Sequence, residues 1–238
     1  MNDILILHGW GSCANSWQTV KKLLEQNSYE VFVPDLPGFG NNPPPTKPWS
    51  INDYVEWVRE FCEKNNLSQV FLLGHSFGGR ISIDFSTRYP ERIKKLILCN
   101  SAGIKPKPGL LTTMIFCLAK LGNIVFKPKF LTGFKKDARS FFYFFLRKRD
   151  YAKITDQIMK ETIKNVLNED LLPLLPEIKT ETLIVWGKKD KLVPIKYSYI
   201  FKKKIPHSEL KILPKVGHSP HLEAPQELLK VILDFIKK

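Results

Sequence analysis

Six short apolar runs punctuate the chain: Asp3–Leu7, Tyr29–Val33, Val70–Leu73, Leu96–Cys99, Thr182–Trp186 and Leu210–Leu213. Bounded by Gly, Pro or polar residues, they read as short buried strands. Between them the apolar positions take helical spacing. Trp17, Val20, Leu23 and Leu24 mark a helix over Ser16–Glu25. Tyr54, Val55, Val58, Phe61 and Cys62 mark another after Ser50, where Ser50 and Asp53 are spaced for a capping box. Pro194 opens a helix over about Ile195–Lys203, and Pro225 opens the last, with Leu228, Leu229, Ile232, Leu233 and Ile236 on one face. Apolar strands alternating with helices predict an α/β fold, a mostly parallel sheet of about six strands covered on both faces.

The segment Ile104–Lys179 breaks this rhythm. It offers no clear strand and several helical stretches. It holds eight of the sixteen Phe, including Phe141, Phe142, Phe144 and Phe145. Over Gly103–Ile178 there are 14 Lys and Arg against 7 Asp and Glu, so +7 of the chain's +14 falls there. The expected organisation is a core of residues 1–103 and 179–238, with a helical cap, 104–178, inserted after the fourth strand. The Phe cluster suits either cap-to-core packing or an apolar acyl pocket.

Composition narrows the class. The chain has 238 residues, 43% hydrophobic and 25% charged, which suits one soluble α/β domain with an insertion. The positive charge comes without any nucleic-acid-binding signature. Cys13, Cys62, Cys99 and Cys117 show neither metal-ligand spacing nor disulfide-scaffold density, which suits a reducing compartment. No run reaches the roughly 18 apolar residues of a membrane span, and no signal-peptide pattern opens the chain. A cytoplasmic protein is expected.

The candidate chemistry starts at Val70–Gly79, Val-Phe-Leu-Leu-Gly-His-Ser-Phe-Gly-Gly. A strand enters, a helix leaves, and Gly-x-Ser-x-Gly lies between them. A turn that sharp strains its central residue, and Gly at the flanking positions avoids a Cβ clash. Ser76 is thereby raised at the carboxyl edge of the sheet, with a helix N-terminus behind it. A serine hydroxyl needs a base, and the base needs an orienting carboxylate. These groups collect at the carboxyl ends of strands. After the fifth strand the one carboxylate is Asp190. After the sixth come His218 and its competitor His221. His75 is too close to Ser76 to act as base, and His207 precedes its strand.

Taken together, His8-Gly-Trp-Gly11, Asp35-Leu-Pro-Gly-Phe-Gly40, Gly74–Gly79, Trp186–Pro194 and Gly217–Pro225 resemble the α/β-hydrolase fold superfamily, in its small capped esterase branch. The resemblance covers everything except the cap. It implies Ser76 as nucleophile, Asp190 as acid and His218 as base. It implies an oxyanion hole from the backbone N–H groups of Trp10 and Phe77, and no metal or cofactor. Family members usually carry two further strands before the first one here. The strand Tyr29–Val33 is therefore expected at an open edge, where a homodimer could form unless prolines or a loop cover it.

The activity these features favour is hydrolysis of small or medium carboxylic esters, with lactones included. A narrower version resembles methyl ester esterases acting on an acyl carrier protein, whose acidic surface the basic cap residues Arg139, Arg147, Lys148 and Arg149 would meet. The competing readings are carbon–carbon bond hydrolysis of dienone-like substrates and a non-catalytic ligand receptor on the same fold.

Overall fold

The computed structural model describes residues 2–105 and 156–238. Six strands form one parallel sheet: β1 (Asp3–Leu7), β2 (Glu30–Phe32), β3 (Val70–His75), β4 (Ile93–Cys99), β5 (Thr182–Gly187) and β6 (Ser208–Leu213). Their order is β2-β1-β3-β4-β5-β6, so β2 and β6 are the edges. Each expected run became a strand. β4 starts three residues early because Lys94 and Lys95 lay their stems along the sheet, each ammonium over an aromatic ring, Phe71 and Phe235.

The helices are α1 (Gln18–Glu25), α2 (Ile51–Lys64), α3 (Phe77–Arg88), α4 (Gln157–Asn168), α5 (Lys196–Lys204), α6 (Pro220–Glu223) and α7 (Pro225–Ile236). The central strands are buried on both faces along most of their length, which is why they read as continuous runs, while the edge strands β2 and β6 are partly exposed. Ile4, Ile6, Leu73, Ile97 and Val185 pack with Trp17, Val20 and Leu24 and with Leu228 and Ile232 of α7. The alternate residues turn to the other face, where α3 lies against β1, β3 and β4 and α5 against β5 and β6. The capping box at α2 is present: Ser50 Oγ accepts from Asp53 N, and Asp53 Oδ2 accepts from Ser50 N at 2.8 Å.

At the β2 edge, Glu30 N donates inward to Asn2 O at 3.2 Å, so strand alternation turns the Val31 backbone outward. Lys21 Nζ, from α1, donates to the Val31 carbonyl. A three-residue strand with its outward carbonyl occupied offers a partner chain little to pair with.

Contacts divide the chain into two compact units, Met1–Ile104 with Asp156–Lys238, and Lys105–Thr155. The segment expected as a cap is thus divided, its last third belonging to the first unit. There α4 buries Met159, Thr162, Ile163 and Val166. Trp49 N donates to Thr162 Oγ1 at 3.0 Å, and Ile51 N to Glu169 Oε1 at 2.9 Å. Leu171 N donates to Gly103 O at 2.9 Å, clipping the returning chain to the point where it left β4. The Phe141–Phe145 run, Arg139, Arg147–Arg149 and Cys117 lie outside the described residues.

Candidate active site

The elbow is built by close approach. Ser76 has φ 52° and ψ −109°, a left-handed conformation that costs a non-glycine residue about 1–3 kcal/mol. Its surroundings over-determine it: Ser76 N donates to Cys99 O at 3.2 Å, and Ser76 O accepts from Ala102 N at 3.0 Å and Gly79 N at 3.1 Å. A Cβ on Gly78 would stand 2.1 Å from Leu7 O, and one on Gly74 would stand 2.7 Å from Gly78 O. The helix therefore seats directly against the ends of β1 and β3, and Gly is the only residue that fits.

The other half of the site comes from two loops far away in sequence. His218 Nε2 lies 3.1 Å from Ser76 Oγ, and His218 Nδ1 lies 2.8 Å from Asp190 Oδ2. A carboxylate only accepts, so Nδ1 carries the proton and Nε2 faces the serine hydroxyl with a free lone pair. Asp190 is buried, and its second oxygen accepts from Leu192 N at 2.7 Å and Val193 N at 2.9 Å. The arrangement can take a proton from Ser76 and hold the resulting imidazolium against a carboxylate.

Two buried residues that the sequence did not single out are held by distant segments, and the first belongs to this half. Asn100, at the end of β4, is fully buried with φ 44°. Its Nδ2 donates to Asp190 Oδ2 at 2.6 Å and to Gly217 O at 3.2 Å, and its Oδ1 accepts from Gly187 N at 3.2 Å. One amide thus ties Asp190 to the loop of His218. Arg80, one turn into α3, is 2% exposed and donates to the carbonyls of Val166 and Glu169 at the end of α4. Burial pulls its pKa down to about 10. Nothing in the local pattern marks either residue, since both roles depend on distant segments arriving.

The remaining histidines separate cleanly. His218, not His221, reaches Ser76 Oγ; His221 stacks on Trp17, with ring centroids 4.2 Å apart and an interplanar angle of 5°. Burial lowers its pKa to about 4. His75 Nε2 donates to the His218 carbonyl at 2.8 Å, and burial holds its ring neutral, well below the ordinary histidine range. His8 accepts from Leu36 N through Nε2 at 3.0 Å, which places its own proton on Nδ1, donated to Gly9 O. His207 is exposed at the amino end of β6.

Trp10 and Phe77 are neighbours, their rings 5.2 Å apart and edge to face. Phe77 N–H is the first in α3, which no intrahelical carbonyl serves. Asp35 holds the adjoining loop by accepting from Ala14 N and Asn41 N.

Comparison with known proteins agrees with this architecture. A family model described as alpha/beta hydrolase fold matches residues 3–125 and 122–225. A Mycoplasma pneumoniae protein carrying an esterase/lipase name is 32% identical, the match covering 99% of this chain and 89% of that one. The 2-hydroxy-6-oxononadienedioate/2-hydroxy-6-oxononatrienedioate hydrolase of Escherichia coli K12 is 26% identical, with 99% and 87% covered. Among solved structures, an esterase from Exiguobacterium antarcticum superposes with a TM-score of 0.76 at 22% identity, over 100% of this chain and 92% of that one, a likeness of fold alone. With sheet order, elbow and family model in agreement, the chain belongs to the α/β-hydrolase fold family.

Proposed function

We propose that the chain hydrolyses carboxylic esters through an acyl-enzyme on Ser76. The observation that carries this reading is the continuous path from Ser76 Oγ through His218 to Asp190, at 3.1 and 2.8 Å. His218 Nε2 takes the serine proton as Oγ attacks the ester carbonyl, and returns it to the leaving alcohol. Asp190, fixed by Asn100 and two backbone N–H groups, keeps the proton on His218 Nδ1 and stabilises the imidazolium. The N–H groups of Trp10 and Phe77 receive the oxyanion. Water then enters by the same proton path and releases the acid. Substrate choice, small to medium acyl chains with lactones included, is assigned to the Phe-rich segment 105–155 on its composition.

Turnover of p-nitrophenyl acetate and butyrate by the wild type, lost in Ser76→Ala with the circular dichroism spectrum unchanged, is the expected result. Near wild-type turnover in Ser76→Ala would overturn the mechanism. The Escherichia coli relative keeps one second reading in view, carbon–carbon bond hydrolysis of a dienone-like substrate. A substrate panel of methyl esters, lactones and a dienone separates the two, and selective turnover of the dienone would favour the second.

A further inference from the structure

The two loops that carry Asp190 and His218 also carry an unpaired basic rim. Lys188, Lys189 and Lys191 flank Asp190, and Lys215 stands three residues before His218. All four are exposed, and none has an ion-pair partner among the described residues. The loops are one structural unit: Lys188 N donates to Leu213 O and Lys189 N to Val216 O, each at 2.9 Å. The acidic groups on these loops are already engaged. Asp190 is buried under His218 and Asn100, and Glu223 is spent on Gly217 N at 2.7 Å and Ser219 N at 3.0 Å. Those last bonds pin α6 to the same loop. Its neighbour Leu222 is 61% exposed, one of two exposed large hydrophobics among the described residues.

We infer that this rim docks the protein on an anionic lipid surface, Leu222 entering the interface while the four lysines meet lipid phosphates. The side-chain chemistry favours a bilayer over an acidic protein. Lysines are flexible point charges without the planar fork that matches a defined carboxylate, and they suit a fluid field of headgroups. A single protruding leucine offers no concave apolar seat for a partner's side chain, but it can enter an acyl boundary. Because the rim belongs to the loops of Asp190 and His218, docking sets the carboxyl end of the sheet, where Ser76 lies, against the membrane. The orientation toward a lipid ester rests on the proposed esterase reading, whereas the binding does not.

The test uses the full chain carrying Ser76→Ala, so that no lipid is consumed. Cosedimentation is measured with dioleoylphosphatidylglycerol vesicles and with dioleoylphosphatidylcholine vesicles. The rim predicts binding to the first, weak binding to the second, and release as salt is raised. Lys188→Gln with Lys189→Gln should lower the phosphatidylglycerol partition by about tenfold or more. Leu222→Ser should lower it severalfold. The control is Lys202→Gln, Lys203→Gln and Lys204→Gln, at the far end of α5, which should stay within about twofold. Equal losses from the control and the rim variants would mean that net charge alone drives binding, and would overturn the proposal. Binding to an acidic acyl carrier protein but not to vesicles would overturn it as well. Separately, wild-type chain that binds vesicles but turns over no ester would refute the esterase reading and leave the docking face standing.

Discussion

The two halves of the site are made by opposite means. The elbow half, β3 and α3, is held by steric approach: glycine backbones against Leu7 and Gly78, and a strained Ser76 with no room to relax. The loop half, after β5 and β6, is held by hydrogen bonds through Asp190, Asn100, Glu223 and the His75 ring. The first half should be intolerant of added volume and indifferent to protonation. The second should tolerate some volume but fail when a donor or a proton is misplaced. Steric fit fixes the position of Ser76, and polar contacts orient His218 and Asp190; on the proposed mechanism these are the parts that must stay still and the parts that must move protons.

The largest expected effect joins the halves. Ser76→Ala should cut ester turnover by about a millionfold while leaving the thermal transition near that of the wild type, read by single-turnover kinetics and calorimetry. Gly78→Ala probes the steric half alone. Its Cβ would meet backbone rather than a movable side chain, so a loss on the order of 3 kcal/mol or outright misfolding is expected in urea titrations. A stable Gly78→Ala would dissolve the distinction.

Acid probes the polar half. His221 keeps a folded pKa of about 4, against 6.5 for an ordinary histidine. As pH falls, the unfolded chain takes up this proton first. The contribution is therefore complete above about 6.5 and is lost between about 6.5 and 4, on the order of 3 kcal/mol for this group. His75 and His8, both lowered by burial, act in the same direction. The melting temperature should fall over that window, and His221→Phe, which retains the stack on Trp17, should flatten the slope. A pH-independent melting temperature between 7 and 4 would contradict the buried neutral rings.

Asn100→Ala sharpens the comparison further. It removes a donor from the buried Asp190 carboxylate and leaves Gly187 N unpaired. We expect kcat to fall about 10- to 100-fold with KM little changed, and the acid limb of the pH–rate profile to move. An effect confined to stability would reduce Asn100 to packing. The smallest effect should come from Lys21→Ala, which frees the outward carbonyl of Val31 at the β2 edge. Light scattering across a dilution series should then detect more self-association than in the wild type, with turnover unaltered.

Local pattern carried much of this. The central strands are apolar along most of their length and the edge strands keep apolar runs, so all six were legible, and the elbow and the loops of Asp190 and His218 sit at strand ends that such runs announce. His218 and His221 looked alike because positions three residues apart share every local signal. They part only where Trp17, two hundred residues earlier, takes the second ring in a stack. Asn100 carried no local mark because its partners arrive at the end of β5, on the loop that follows it and on the loop after β6. Arg80 carried no local mark either, and it is buried because the end of α4 returns over it. The start of β4, from Ile93 to Lys95, was hidden for a related reason, since polar heads on apolar stems break a hydrophobic run without breaking the sheet. The division of the expected cap at Asp156 followed from the contacts of α4 with the core, which no composition reveals.

The hydrogen bond from Leu171 N to Gly103 O has an engineering consequence. Gly103 and Leu171 already touch, so the stretch between them closes at one port, and α4 within it stays tied to the core through Thr162 and Glu169. A foreign segment with equally close ends can be spliced there without asking the sheet to rearrange. Chimeras that exchange residues 105–155 and keep α4 would test whether that segment sets the substrate preference.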